Sequence, residues 1–168
     1  MTEKTRSILF RLPFSRHLLH LPTILCACIY LGNGLYLFIS RDPRLFPYLT
    51  VPAICFITVT ILRKVINRTR PYDAYQITPV GRHLPGKGKS MPSRHAASAI
   101  AILMAVLMLE PVLPLKIVLI LLAVLICLLR IVTGQHYPSD VLAGAALSII
   151  LSVLLFPRML QLGLTFYP

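Results

Sequence analysis

Long runs with almost no charge alternate along the chain with short, strongly basic connections. A run of about 17 or more apolar residues is long enough to cross a bilayer as a helix. Residues 21–39 form one such run, with Gly32 and Gly34 inside it, and residues 45–62 form a second, bounded by Arg44 and Arg63. Residues 96–109 predict a third, which stops at Glu110 and Pro111 and is short enough to begin in the preceding polar turn. Residues 115–129 and 141–156 predict a fourth and a fifth, with ends reaching into the flanking turns. The expected fold is all-α, a polytopic membrane bundle of about five spanning helices that forms one domain over residues 1–168. Small residues repeat every fourth position as Ser93, Ala97, Ala101 and Ala105, and again as Gly144 and Ser148. In lipid that spacing lets helices approach closely, so both stripes are expected to be packing faces.

Composition agrees with this class. The chain is 57% hydrophobic and only 13% charged, about half the usual charged fraction of a soluble domain. A disordered tail, a disulfide-stapled secreted domain and an ordinary soluble enzyme are all poor fits. Cys26, Cys28, Cys55 and Cys127 lie in apolar runs without metal-ligand spacing and are most simply small buried residues. The five carboxylates, Glu3, Asp42, Asp73, Glu110 and Asp140, are too scattered for a two-metal hydrolase. No metal and no cofactor is expected. The net charge of +12 suggests an anionic partner such as a phosphate or a lipid headgroup, with nucleic acid the weaker reading. The basic segment of residues 1–20 carries Lys4, Arg6, Arg11 and Arg16 among Ile8, Leu9, Phe10 and Phe14. It suits a surface-lying membrane segment and equally a solvated tail.

With five spans, the end of the second, the start of the third, the end of the fourth and the start of the fifth share one membrane face. Three polar patches fall at those four places. The first is the basic run from Arg63 to Pro71, with Lys64, Arg68 and Arg70; the second is Ser93-Arg94-His95; the third is Arg130 followed by His136 and Asp140. Each patch alone has a plain reading: stop-transfer basic residues, a helix cap with a snorkelling arginine, or a capped helix start. Together they supply two histidines, several arginines and an Asp four residues from one His. Arginines stabilise phosphoryl oxygens, one His can attack, and the other can protonate the leaving oxygen.

The three patches resemble the signature of the type 2 phosphatidic acid phosphatase family, which includes vanadium haloperoxidases and glucose-6-phosphatase. Its first part is Lys, six residues, then Arg-Pro, and here Arg63 takes the Lys position before Arg70-Pro71. Its second part is Pro-Ser-Gly-His, matched by Pro92, Ser93 and His95, with Arg94 in place of Gly. Its third part is Ser-Arg, five residues, His, three residues, Asp, matched by Arg130, His136 and Asp140, with Leu129 in place of Ser. The resemblance covers residues 63–140 and is that of a small bacterial membrane member.

What the resemblance implies is a metal-independent lipid phosphatase. His136 attacks phosphorus to form a phosphohistidine, Asp140 orients it, and His95 protonates the leaving group and then activates water. Arg63, Lys64, Arg70, Ser93, Arg94 and Arg130 hold the phosphoryl oxygens. The partner is then a phosphorylated membrane lipid: undecaprenyl diphosphate or phosphatidylglycerophosphate first, with phosphatidate or lipid A as alternatives. The soluble haloperoxidase branch fits five spans poorly. A non-catalytic cationic scaffold or anion transporter is the competing class. Most of the Lys and Arg lie on the face that carries the patches, which by the positive-inside rule is cytoplasmic. The resemblance instead favours an extracytoplasmic site in the cell membrane.

Overall fold

The structure is a computed structural model that describes residues 16–76, 88–109 and 112–166. Most of the basic N-terminal segment, and the part of the long connection that holds Arg82, His83 and Lys87, lie outside the described residues. Among the described residues six helices follow in order: α1 (Arg16–Ile39), α2 (Leu45–Ile66), α3 (Pro71–Ala74), α4 (Arg94–Leu107), α5 (Leu113–Val132) and α6 (Pro138–Phe166). There is no strand among the described residues. The protein is a multi-pass helical membrane protein, with four helices among the described residues long and apolar enough to cross a bilayer.

Each of the five predicted runs is a helix, and α4 is the exception in length. At 14 residues and 1.5 Å per residue it is about 21 Å long, short of a hydrocarbon core of about 30 Å. Its position explains why this suffices. It packs against α1, α2, α5 and α6, and its buried set, Ala96, Ala97, Ala99, Ala101, Leu103, Ala105 and Val106, runs around most of its circumference. A helix enclosed by other helices has no lipid thickness to match. Around it the bundle turns Leu31, Ile57, Leu121, Leu142 and Leu154 outward, the inverse of a water-soluble surface.

The small-residue stripes are the contact between α4 and α6. A β carbon added to Gly144 would lie 2.7 Å from the carbonyl oxygen of Ser93 and 3.4 Å from the amide nitrogen of Ala97. One turn further along α6, the buried Ser148 hydroxyl donates to the Ala97 carbonyl at 2.9 Å. This crossing sets the start of α4 directly beside the start of α6, where the Ser93 amide donates to the Asp140 carbonyl at 2.9 Å. Away from this end, α1 and α2 are braced by a reciprocal pair. Tyr30 Oη donates to the Tyr48 carbonyl at 3.0 Å and Tyr48 Oη to the Tyr30 carbonyl at 2.8 Å, with stacked rings 4.7 Å apart.

Gly144→Ala should therefore lower stability by about 1–3 kcal/mol, the usual cost of overpacking, because the obstructing atoms are backbone. Gly32→Ala meets nothing within 4 Å and should be neutral or gain a few tenths of a kcal/mol from helix propensity. Thermal unfolding of both variants in the same detergent separates the two; equal melting temperatures would remove the close crossing as a constraint.

Candidate active site

Chain turns and helix ends bring the three sequence patches to one end of the bundle. α2 ends at Asn67, a left-handed cap (φ 43°) whose N–H donates to the Arg63 carbonyl. The chain then runs through Arg68 to Arg70 and the single turn of α3, a feature the hydrophobic pattern does not announce. It returns at Gly88, where φ is +51° and a β carbon would lie 2.7 Å from the Asn67 side chain, so only glycine fits both the turn and the space. Ser90 N–H then donates to the Arg68 carbonyl at 2.8 Å, which joins the first patch to the second.

Asp140, in the first turn of α6, is completely buried. Its Oδ1 accepts from Arg68 Nη1 at 2.8 Å. Its Oδ2 accepts from the Ser90 hydroxyl in a short hydrogen bond and from the Tyr137 amide at 2.9 Å. Arg68 also donates to Ser139 Oγ at 2.8 Å and stacks over the Tyr137 ring, 4.1 Å from its centroid. Arg68 and Ser90 thus hold the carboxylate in place. The sequence reading missed both as site residues, although Arg68 stands inside the first patch and Ser90 three residues before Ser93.

His136 is buried beside this carboxylate, with Nδ1 3.7 Å from Asp140 Oδ2. That is an electrostatic contact just beyond hydrogen-bond length, and Nδ1 has no hydrogen-bond partner. Its backbone N–H donates to the Arg130 carbonyl at 3.1 Å, which fixes the turn between α5 and α6. With Nδ1 facing the carboxylate, Nε2 is the ring nitrogen away from it. Burial lowers the His136 pKa from its ordinary 6.5, opposed by the Asp140 carboxylate and assisted by Arg70 and Arg63. The imidazole is therefore neutral at neutral pH, the state a nucleophile requires.

The cations surround this centre unequally. Arg63 and Arg130 are buried. Arg63 Nη1 lies 3.4 Å from the Pro92 carbonyl. Arg130 Nη1 donates to Gln135 Oε1 at 3.0 Å, while its buried Nε has no partner. Arg63, Lys64, Arg70, Lys89 and Arg94 line a cavity of about 230 Å³ together with Thr60 and Gly88. Ser93 is buried as the cap of α4, its hydroxyl 3.5 Å from the Ala96 amide, so it shapes the helix start as well as facing the patch. His95 lines a different space of about 350 Å³, mostly apolar, walled by α1, α2, α4 and α5. The donor set of the basic cavity is cationic, suited to an anion and unlike a divalent-metal site.

A buried His–Asp pair, a second His one helix away and a basic cavity at the end of a membrane bundle define a class: a polytopic helical membrane protein with a cationic pocket at one end. The chain belongs to the PAP2 superfamily, whose family model matches residues 44–163. It is 31% identical over 91 residues to the lipid A 1-phosphatase of Rhizobium etli, covering 51% of this chain and 38% of that protein. The lipid A 1-phosphatase of Rhizobium johnstonii is 30% identical over 111 residues, covering 63% and 44%. The chain thus spans less than half the length of these two relatives. Aquifex aeolicus LpxE is similar in structure, with a TM-score of 0.68 and 27% identity over 90% of this chain and 92% of that one. The PAP2-type phosphatidylglycerolphosphate phosphatase of Bacillus subtilis shares the fold, with a TM-score of 0.57 and 24% identity over 91% and 85%.

Two outcomes test this geometry. Ring NMR signals of His136 should titrate with a midpoint below 6.5, and lower still in Asp140→Asn, since the carboxylate raises the pKa; a midpoint at or above 6.5 would contradict the burial argument. Arg68→Gln should cost about 1–3 kcal/mol, below the range for breaking a fully buried ion pair because Arg68 is partly exposed. A double-mutant cycle with Asp140→Asn should then show a coupling of at least about 0.5 kcal/mol; strict additivity would leave the two unconnected.

Proposed function

We propose that this chain is a membrane-embedded lipid phosphatase that works through a phosphohistidine on His136 and uses no metal. The observation that supports it best is the single junction of Asp140, His136, the basic cavity and His95. The fixed Asp140 carboxylate orients the His136 ring, and Nε2 attacks phosphorus. As the bond from phosphorus to the leaving oxygen breaks, His95 gives that oxygen a proton. Arg63, Arg70 and Arg130, with Lys64, offset the charge that spreads over the transferred phosphoryl oxygens, with Arg94 at the edge of the basic cavity; the unspent Nε of Arg130 is one available donor. Water then opens the phosphohistidine with His95 as base, releasing inorganic phosphate.

Within the family resemblance the first candidates are undecaprenyl diphosphate and phosphatidylglycerophosphate, followed by phosphatidate. Lipid A is a second reading, favoured by the two Rhizobium relatives that carry that name. The site opens on the extracytoplasmic side of the cell membrane; the basic excess at that end is accounted for by the anion it binds.

Purified protein in detergent should release phosphate from at least one of these four lipids with EDTA present. His136→Ala should lower turnover by roughly 10³-fold or more, as for loss of a nucleophile, and His95→Ala by about 10²–10⁴-fold, as for loss of an acid–base group. Activity abolished by EDTA or retained in His136→Ala would overturn the mechanism. Silence on all four lipids would return the cationic scaffold reading. In proteoliposomes of known orientation, phosphate released on the face corresponding to the cytoplasm would reverse the sidedness.

A further inference from the structure

The two cavities beside the site differ in chemistry and share one charged side chain. The basic cavity is lined by Arg63, Lys64, Arg70, Lys89 and Arg94. The larger one is walled by Cys26, Phe56, Ile102 and Ile126, with His95 and again Arg94 at its polar end. Its volume of about 350 Å³ lies near the lower limit of ligand pockets. No carboxylate is among the described residues that line either space. The Arg94 guanidinium is exposed, has a ring neighbour in Phe56 with Cζ 5.9 Å from the centroid, and stands where the family signature has Gly.

The order along this path is therefore basic cavity, Arg94 with His95, then apolar cavity. A lipid seated along it places its terminal phosphoryl group among Arg63 and Arg70 and its chain beside Phe56 and Ile126. Arg94 then faces the atoms between the two. In a monophosphate that position holds only an ester oxygen, which carries little charge before the bond breaks. In a diphosphate it holds the inner phosphate, a full anion. Charge points the same way: a phosphomonoester carries only about −1.5 to −2 near pH 7, against five cations on the walls of the basic cavity.

We propose that Arg94 is a specificity-determining residue that holds a second phosphate on the leaving side of the scissile bond, making the preferred substrate a single-chain lipid diphosphate. The inference rests on the phosphatase reading above. The reaction balances without another reactant. His136 bonds to the outer phosphorus while the bond from that phosphorus to the bridging oxygen breaks, and the lipid monophosphate departs with that oxygen and a proton from His95. Water then cleaves the phosphohistidine, yields inorganic phosphate and returns a proton to His95.

The test uses a matched pair, farnesyl diphosphate and farnesyl monophosphate, with purified wild-type, Arg94→Gly and Arg94→Lys proteins. Wild-type kcat/KM should favour the diphosphate. In Arg94→Gly the ratio of diphosphate to monophosphate kcat/KM should fall at least about tenfold, the lower range for losing a hydrogen bond to a charged group. Arg94→Lys should recover part of that ratio and also guards against a folding defect in the glycine variant. An unchanged ratio, whether both activities fall together or neither falls, would overturn the proposal while leaving the phosphatase reading intact. A wild type that hydrolyses the monophosphate as well as the diphosphate would do the same. No hydrolysis of either compound, or of the four lipids above, would remove both.

Discussion

A carboxylate with no access to water must be compensated by the protein around it, because an isolated buried charge is among the most expensive features a fold can hold. Asp140 meets that demand with groups from three separate stretches of chain: Arg68 after α2, Ser90 before α4, and the Tyr137 amide at the start of α6. The first two are 72 and 50 residues away in sequence. Satisfying this one side chain therefore gathers the polar end of the bundle. The same bonds decide what Asp140 can do for His136. Its charge is already partly offset by Arg68, so toward the ring, 3.7 Å away, it acts as an electrostatic neighbour, and burial keeps the imidazole neutral.

Packing below the site makes this arrangement affordable in space. α4 is narrow because its buried positions are mostly alanine, and α6 narrows to glycine where it crosses. Two helix starts consequently meet backbone to backbone, with the Ser93 amide bonded to the Asp140 carbonyl. A bulkier pair of faces would move the start of α4, which carries His95, away from the start of α6 beside His136 and Asp140.

The same contrast explains what the sequence made legible. Charge-free runs mark helices because lipid forces every backbone polar group to be satisfied locally, so all five runs became helices. The ends were less visible. α6 continues past Pro157 and Arg158 to Phe166, held where Gly163 fits against the Pro43 carbonyl and Phe46, a tertiary contact with no local signal. His136 and Asp140 were legible because four residues is one helical turn. Arg68 and Ser90 were not, since their roles depend on the return path of a long connection rather than on spacing. Ser93 was legible as a polar residue at a helix start, and its capping role appears only with the Ala96 amide beside it.

One consequence follows for the resting protein. Arg63, Lys64, Arg70, Lys89 and Arg94 share a cavity with no carboxylate among its described lining residues, while Asp140 is already bonded to Arg68 and faces His136. The Pro92 and Gly88 carbonyls and the nearby Asp140 offset part of the repulsion among them. An anion that fits the cavity would offset more of it and so add to the stability of the fold by mass action. The site is thus unequal by construction, with the Asp140 carboxylate satisfied by three donors and the cations gathered on the wall of a neighbouring cavity. An anion with charge spread over several oxygens complements that wall far better than a neutral group does.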